Sequence, residues 1–500
     1  MSVARTSLTH PLEIAAIQAG EGLGRIGLTF CPGKVQPNAV SGSWERDLNV
    51  DLDAVEAWGA AAVVTLIEPG EMAALKVEAL GEQVANRHMT WFHLPIPDVG
   101  IPGAQFESSW AAAGEALRAL IRSGFDVVVH CKGGLGRAGM IGGRLLVELG
   151  WDPTMAIQAV RRVRPGAIET EAQRQHVLNT ASIDEPFRDA SKDAVEDRAL
   201  GCLLGLAVGD AVGTTLEFTA RDSNPRLKDL VGGGPFGLDA GEWTDDTSMA
   251  LALADSLLKS ERLDEVDLMQ RFVRWWRDGD YSCRGTCFDI GITTRQALSK
   301  FETTGEPIAG STDPQSAGNG SLMRLAPVVL HGLAIGELGG TTAAVQQSRT
   351  THGAQTCIDA CDGFAFRLYL AVTGKMRSYV FDFKGHGAID PAIGTIFEGS
   401  WRGKRRSVIK SSGYVAHSLE AAMWCVARTS NFRDAVLLAA NLGDDADTTA
   451  AITGQLAGAL YGSSAIPSEW LERLAWREKI QDVGWHLISR PGSGPRLHPT

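Results

Sequence analysis

Apolar residues follow two different rhythms along this chain, and the change falls near residue 185. Before it, strand-like apolar runs at residues 61–67 and 125–130 alternate with stretches such as 110–123, whose apolar positions recur at helical spacing. That alternation predicts a layered α/β domain over residues 1–185. The pattern then breaks: Asp184, Glu185 and Pro186 lead into the mixed-charge run from Arg188 to Asp193, and residues 186–197 are expected to be a linker. Beyond it, long helical periods dominate at residues 248–260, 268–277, 416–427 and 432–441. They predict an all-α domain over residues 198–500.

Two of the expected helices carry a further pattern. Gly201, Gly205, Gly209 and Gly213 follow one another every four residues, as do Gly454, Gly458 and Gly462. Residues at i and i+4 share a helix face, so each helix has a bare stripe that admits another backbone at close range. Close helix packing is the expected outcome.

Composition narrows the function classes. The chain has 500 residues, 44% hydrophobic and 21% charged, which is ordinary globular usage and excludes a disordered or fibrous protein. Lys and Arg number 47 against 59 Asp and Glu, a net charge of -12, so general nucleic-acid binding is not expected. No run of unbroken apolar residues reaches membrane-spanning length, and no membrane partner is expected. The start, Met1 to Thr6, lacks the pattern of an export signal, and the eight cysteines are scattered. Reduced thiols and a cytoplasmic location are the expectation.

The first chemical motif spans residues 127–139: Val127, Val128 and Val129 lead through His130 to Cys131, Lys132, Gly133, Gly134, Leu135, Gly136, Arg137, Ala138 and Gly139. It reads as a buried strand, a glycine-dense loop and a helix start. Cys361 and Arg367 have the same spacing without the loop, and are assigned to packing. A thiol at a helix N-terminus, among loop N–H groups and a guanidinium, is a thiolate nucleophile. The loop amides of Lys132, Gly133, Gly134 and Gly136 can converge on an anion, and Arg137 can fork onto two phosphate oxygens. An ATP loop is excluded, because its closing Lys-Ser/Thr is missing. A departing alkoxide needs an acid, and Asp98, in a loop bounded by prolines and glycine, is the candidate.

These residues resemble the cysteine-dependent dual-specificity phosphatases, most nearly the cyclin-dependent kinase-associated branch. The similarity runs from residues 28–33 through 164–173 and places Gln173 on the family's water-positioning glutamine. It implies an α/β phosphatase-like sandwich, a phosphomonoester substrate and no cofactor in this domain. One position departs: after the arginine the family carries Ser or Thr, whose hydroxyl helps the sulfur leave the phosphoenzyme, and this chain has Ala138. Two readings stand, a slow or specialised phosphatase and a phosphate-binding module that presents substrate to the second domain.

The second half holds three acidic clusters: Asp210 to Glu217, Thr244-Asp245-Asp246-Thr247, and Asp444-Asp445-Ala446-Asp447-Thr448. Adjacent carboxylates and hydroxyls without nearby His or Cys suit Mg²⁺ or Mn²⁺ rather than zinc. Helix capping explains one Asp or Thr at each helix start, not three or four acids in each loop. The clusters resemble the ADP-ribosylglycohydrolase family, the group that includes the dinitrogen-reductase reactivating enzyme, from about residue 197 to 462. The resemblance implies that Thr244, Asp245, Asp246, Asp445, Asp447 and Thr448 hold two metal ions and that Glu217 stands beside the scissile bond. It gives Gly318, Asn319, Gly320 and Ser321 to the diphosphate, His352 and Asp289 to the ribose pocket, and Tyr414 to the adenine. Two metals chelating a ribose diol would fix the anomeric carbon and polarise a water. Whether Glu217, Asp245 or Asp289 is the acid/base stays open, and Asp444 occupies a place where many relatives have glycine. The expectation is a bifunctional hydrolase that removes ADP-ribose from a modified protein or small molecule and cleaves phosphomonoesters; the alternative is an ADP-ribosylhydrolase with a substrate-binding first half.

Overall fold

The computed structural model describes residues 4–39, 42–260, 262–337, 340–384, 387 and 389–489; residues 1–3 of the segment read for an export signal lie outside these. The chain forms two compact units, the first in the main up to Glu185 and the second from Pro186.

Among its described residues the first unit has seven strands: β1 (Ala15–Gln18), β2 (Arg25–Phe30), β3 (Val35–Gln36), β4 (Trp44–Glu45), β5 (Ala60–Thr65), β6 (Thr90–His93) and β7 (Asp126–Cys131). Five make one sheet in the order β1-β2-β7-β5-β6, antiparallel only between β1 and β2, while β3 and β4 pair separately. Every residue of β5 and all but the first of β7 are buried, the mark of central parallel strands covered by helices. Leu48–Trp58, Ala104–Arg122 and Gly136–Glu148 are among the helices packed on the sheet. The Ala104–Arg122 helix begins six residues before the apolar period that announces it, because its first turn is mostly solvent-facing. The loops leaving the carboxyl ends of β2, β5, β6 and β7 open at one edge, the usual place for a site in an open parallel sheet.

Among the described residues of the second unit the regular secondary structure is helical, apart from isolated bridges, with irregular loops between the helices. Its first helix, Lys192–Gly213, starts inside the stretch expected to be linker: Ser191 caps it through Ala194 N–H, and Lys192 and Asp193 open its first turn. Extended to Leu216, this is the one described helix long and apolar enough to cross a membrane, with mean hydropathy 1.6, yet 89% of that window lies inside the protein. It is a core helix.

Its glycine stripe lies against the Ala446–Tyr461 helix. A Cβ on Gly201, Gly205, Gly209 or Gly213 would come 2.5, 2.3, 2.2 or 2.3 Å from the carbonyl oxygens of Gly458, Gly454, Ala450 and Ala446. Those separations are far below van der Waals contact, so only glycine permits the seam. The seam has a functional consequence, because Asp210 on one helix and Asp447 in the first turn of the other are brought face to face.

Candidate active sites

In the first unit, the loop after β7 carries the cysteine motif. Cys131 is buried, and Gly134 N–H donates to its Sγ over 3.2 Å. Gly134 sits at φ +73, where a Cβ would meet Phe30 N at 2.5 Å; a Cβ on Gly136 would meet the Glu169 carboxylate at 2.3 Å. Gly133 is exposed and Lys132 half-buried. Arg137 is buried, with Nη1 donating to Glu71 Oε2 (2.6 Å) and Ile96 O (2.9 Å), and Nη2 to Glu71 Oε1 (3.0 Å) and Asp98 Oδ1 (2.8 Å). Arg137 thus joins Glu71 and Asp98 from the first turn of the helix that follows the Cys131 loop. Glu71, which the sequence pattern did not single out, fixes the arginine's plane. Burial pushes its carboxyl up, but the Arg137 hydrogen bond and charge outweigh that and hold it below the usual range.

Gln173 is fully buried and its amide is committed. Oε1 accepts from Glu169 N–H (3.0 Å) and Thr170 N–H (3.4 Å), closing a capping box, and Nε2 donates to Gly100 O (3.2 Å). In this structure it ties the Asp98 loop to the Glu171–Leu178 helix. Two further cations brace the glycine loop: Lys34 Nζ donates to Lys132 O (3.3 Å), and Arg164 Nε to Gly134 O (3.2 Å). Lys34 lies 4.2 Å from the Trp44 ring centroid, and burial brings its ammonium down to about 8. Ala138 is buried and brings no hydroxyl to the sulfur.

In the second unit, the acidic loops converge. Thr244 and Asp445 occupy the N-cap positions of the Asp245–Lys259 and Ala446–Tyr461 helices, yet neither side chain caps its own helix. Asp210 and Glu217 do so from outside. Asp210 Oδ1 accepts from Thr244 N–H and Oγ1 (both 2.9 Å), and Oδ2 from Thr247 N–H (3.1 Å) and Oγ1 (2.6 Å). Glu217 Oε2 accepts from the N–H groups of Ala446 (2.6 Å) and Asp447 (3.1 Å). Both carboxylates thus satisfy orphan donors at positive helix ends, which leaves the loop acids facing one another. Single oxygens of Asp210, Asp246 and Asp447 lie within 4.8 Å of one another, as do those of Glu217, Asp445 and Asp447. Thr244 Oγ1 donates to Asp447 Oδ2 (3.1 Å) and Thr448 Oγ1 to Asp246 Oδ2 (3.3 Å).

Five of the six residues expected to hold metal, Thr244, Asp246, Asp445, Asp447 and Thr448, are thereby in these clusters or bonded to them; Asp245 is linked to them by charge, and Asp210, read as part of an acidic cluster but not as a ligand, joins them. Burial, then the neighbouring carboxylates, pushes Asp245 and Asp246 well above the carboxylate range and Asp445 up to about 8. Asp289 rises to about 7, through burial and the charge of Asp447. Asp246 Oδ1 is buried without a hydrogen-bond partner among the described residues. An oxygen-only donor set of crowded, buried carboxylates with one atom unsatisfied fits hard divalent cations.

The remaining predicted residues border this cluster. Asn319 Nδ2 donates to the Asp445 carboxylate and to Ser418 Oγ (2.8 Å). Gly318 bridges Tyr414, which is 36% exposed and stands edge-on to His417. A Cβ on Gly320 would meet His352 Cε1 at 2.7 Å, so glycine lets the imidazole approach the loop. His352 Nδ1 pairs with Thr351 Oγ1 (2.8 Å); burial, then the Arg324 charge, lowers it to about 3 and keeps it neutral. Arg324 holds that corner through Thr351 Oγ1 (2.8 Å) and Gln347 Oε1 (2.8 Å). Ser321 is fully buried, with its hydroxyl bonded to Ser348 Oγ (3.0 Å) and Cys361 Sγ (3.4 Å), so its side chain packs the loop from beneath. Asp444 adopts φ +62, the left-handed conformation that glycine takes without strain.

A helical unit centred on an oxygen-only cluster of helix-start carboxylates fits a cation-binding enzyme, and family comparison gives its class as a hydrolase. The model of the ADP-ribosylglycohydrolase family matches residues 191–494, and the chain belongs to that family. A second model, the Swiss Army Knife protein DSP-PTPase phosphatase domain, matches residues 34–177. The chain is 48% identical over 297 residues to the ADP-ribosylarginine hydrolase Tri1 of Pseudomonas putida (strain GB-1), covering 59% of this chain and 78% of that protein. It is 32% identical over 298 residues to the ADP-ribosyl-[dinitrogen reductase] glycohydrolase of Rhodospirillum rubrum, covering 56% and 91%. A solved structure described as an ADP-ribosylglycohydrolase-related protein complex matches with TM-score 0.52 at 39% identity, over 59% of this chain and 98% of that one.

Proposed function

We propose that the second unit is an ADP-ribosylarginine hydrolase working with two divalent cations, Mg²⁺ or Mn²⁺, and that the first is a cysteine-dependent phosphomonoesterase. The observation that carries the hydrolase is the division of roles among its acids: Asp210 and Glu217 cap the two helices, and buried Asp246 Oδ1 is left without a partner among the described residues. Arginine as the modified group is supported by the 48% identity to an ADP-ribosylarginine hydrolase. Thr244, Asp245, Asp246, Asp445, Asp447 and Thr448 would hold the cations, which when bound fix the ribose diol and polarise water. Asn319 keeps Asp445 oriented. Gly318 to Gly320 present backbone to the diphosphate, neutral His352 and Asp289 line the ribose, and Tyr414 takes the adenine. Asp289, whose carboxyl is pushed up by burial and by the charge of Asp447, is the candidate to take and return the proton. The bond between the anomeric carbon and the guanidine nitrogen breaks, its electron pair stays on nitrogen, water supplies the new ribose hydroxyl, and the water proton ends on the guanidine. The test is release of ADP-ribose from ADP-ribosylated arginine by the full chain and by Asp246→Asn; the expected result is release by the first and loss in the second, and activity only on other linkages would contradict the arginine assignment.

In the first unit, Cys131 Sγ attacks phosphorus, the ester P–O bond breaks with its electrons on oxygen, and Asp98 protonates that oxygen. Water then cleaves the S–P bond and frees phosphate. The missing hydroxyl at Ala138 favours a second reading, a module that binds phosphate without turning it over. Cys131→Ser separates the two: loss of phosphomonoester hydrolysis with retained tungstate binding is expected of an enzyme, and undiminished hydrolysis would remove Cys131 from the mechanism.

A further inference from the structure

Beside the acidic centre stands a chain of three phenyl rings that no step above employs. Phe218 follows Glu217 directly and Phe288 directly precedes Asp289. Phe236 joins them, its ring centroid 6.2 Å from Phe218 at 74° and 5.5 Å from Phe288 at 56°. Phe218 is 67% exposed, whereas the other two are half-buried. It also sits at φ +58, an outlier for a bulky residue. The conformation is enforced by a reciprocal clasp with the metal loop: Phe218 N–H donates to Asp444 O (2.8 Å), and Asp444 N–H to Thr219 O (2.8 Å). Core packing does not account for a largely exposed phenyl held in a strained backbone.

The loop bearing Phe236 is equally fixed. A Cβ on Gly234 would come 2.0 Å from Thr214 O. Arg284 donates to Gly237 O (2.8 Å) and pairs with Glu242 (2.6 Å). Rings with electron-rich faces, two of them next in sequence to Glu217 and Asp289, suit a flat, weakly hydrated cation. We propose that the Phe218–Phe236–Phe288 rim receives the guanidinium of the modified arginine and sets the preference for that linkage. This rests on the arginine reading above. A hydroxyl-linked substrate brings no cation to the rings and gains nothing from them.

The product ADP-ribose lacks the guanidinium, so it reports the same pocket without the rim. The experiment uses the full chain with Mg²⁺ and measures KM for ADP-ribosylated arginine and the inhibition constant for ADP-ribose, in wild type, Phe218→Leu, Phe236→Leu and Phe218→Tyr. The ratio of KM to inhibition constant is expected to rise about threefold to thirtyfold in the leucine variants, the size of a cation–π contact, and to return towards wild type with tyrosine. Both constants moving together, or neither moving in two folded leucine variants, would overturn the rim. A wild type that releases ADP-ribose from other linkages and not from arginine would instead overturn the substrate assignment, and the rim with it.

Discussion

Gly209→Ala tests whether the glycine seam sets the geometry of the acidic centre. The added Cβ would sit 2.2 Å from Ala450 O, and an ordinary contact needs about 1 Å more. Backbone faces backbone there, so no flexible side chain can yield. Overpacking of this kind costs about 2–3 kcal/mol, and alanine recovers about 1 kcal/mol of helix propensity, so the net loss is about 1–2 kcal/mol, or roughly 2–8 °C in Tm. The catalytic effect should exceed the thermal one. Parting the helices by about 1 Å stretches the Thr244–Asp447 hydrogen bond from 3.1 Å beyond bonding range and draws Asp447 away from Asp246. A displacement of that size at a reacting centre is worth about a hundredfold in rate. Gly201→Ala, two turns further from the acids and with a similar clash of 2.5 Å, is the control. It should lose comparable stability and much less activity. Thermal melts together with ADP-ribose release across a Mg²⁺ titration provide the readouts. Gly209→Ala with wild-type melting and wild-type cation dependence would refute the seam as the determinant of the site.

Three further outcomes follow from the same structure. Ala138→Ser should speed phosphomonoester turnover roughly tenfold, about the size of one hydrogen bond to a charged group, and a burst of phosphocysteine should appear in wild type; no burst together with an unchanged rate would contradict this. With the cations chelated, melting temperature should fall as pH rises from about 4 to about 8. Asp210 and Asp289, raised to about 7, and Asp445, raised to about 8, keep protons in the folded state that the unfolded chain has released, so their stabilising contribution is complete at low pH and gone above those values; a flat profile would refute it. Glu71→Gln should weaken tungstate binding by freeing the Arg137 guanidinium to turn, and unaltered binding would show that Asp98 and Ile96 suffice to fix it.

Much of both sites was legible because local chemistry announced it. The cysteine loop reads as strand, glycines and helix over consecutive residues, and the structure gives β7, the turn and the helix in that order. The glycine stripes likewise foretold a close helix pair. What escaped acts through space: Glu71 reaches Arg137 from the short helix Pro69–Leu75 that follows β5, Lys34 reaches the glycine loop from beyond β2, and Asp210 caps a helix that begins 35 residues later. No spacing rule links such partners. Ser321 shows another limit, since spacing alone does not say whether the hydroxyl of a small polar residue in a glycine loop points out or, as here, in. Of the stretch read as linker, residues 186–191 lie outside any helix and the helix begins at Lys192, a start that the exposed, charged first turn hides from apolar periodicity.

The central claim is that one chain carries two independent chemistries, a thiolate site that needs no metal and a carboxylate site that does. One preparation assayed for both phosphomonoester hydrolysis and ADP-ribose release, with and without EDTA and alongside Asp445→Asn, tests it most directly. Chelation and the substitution should each abolish ADP-ribose release and leave phosphomonoester hydrolysis intact. ADP-ribose release that survives both would contradict the cation site, and phosphomonoester hydrolysis lost to EDTA would contradict the thiolate.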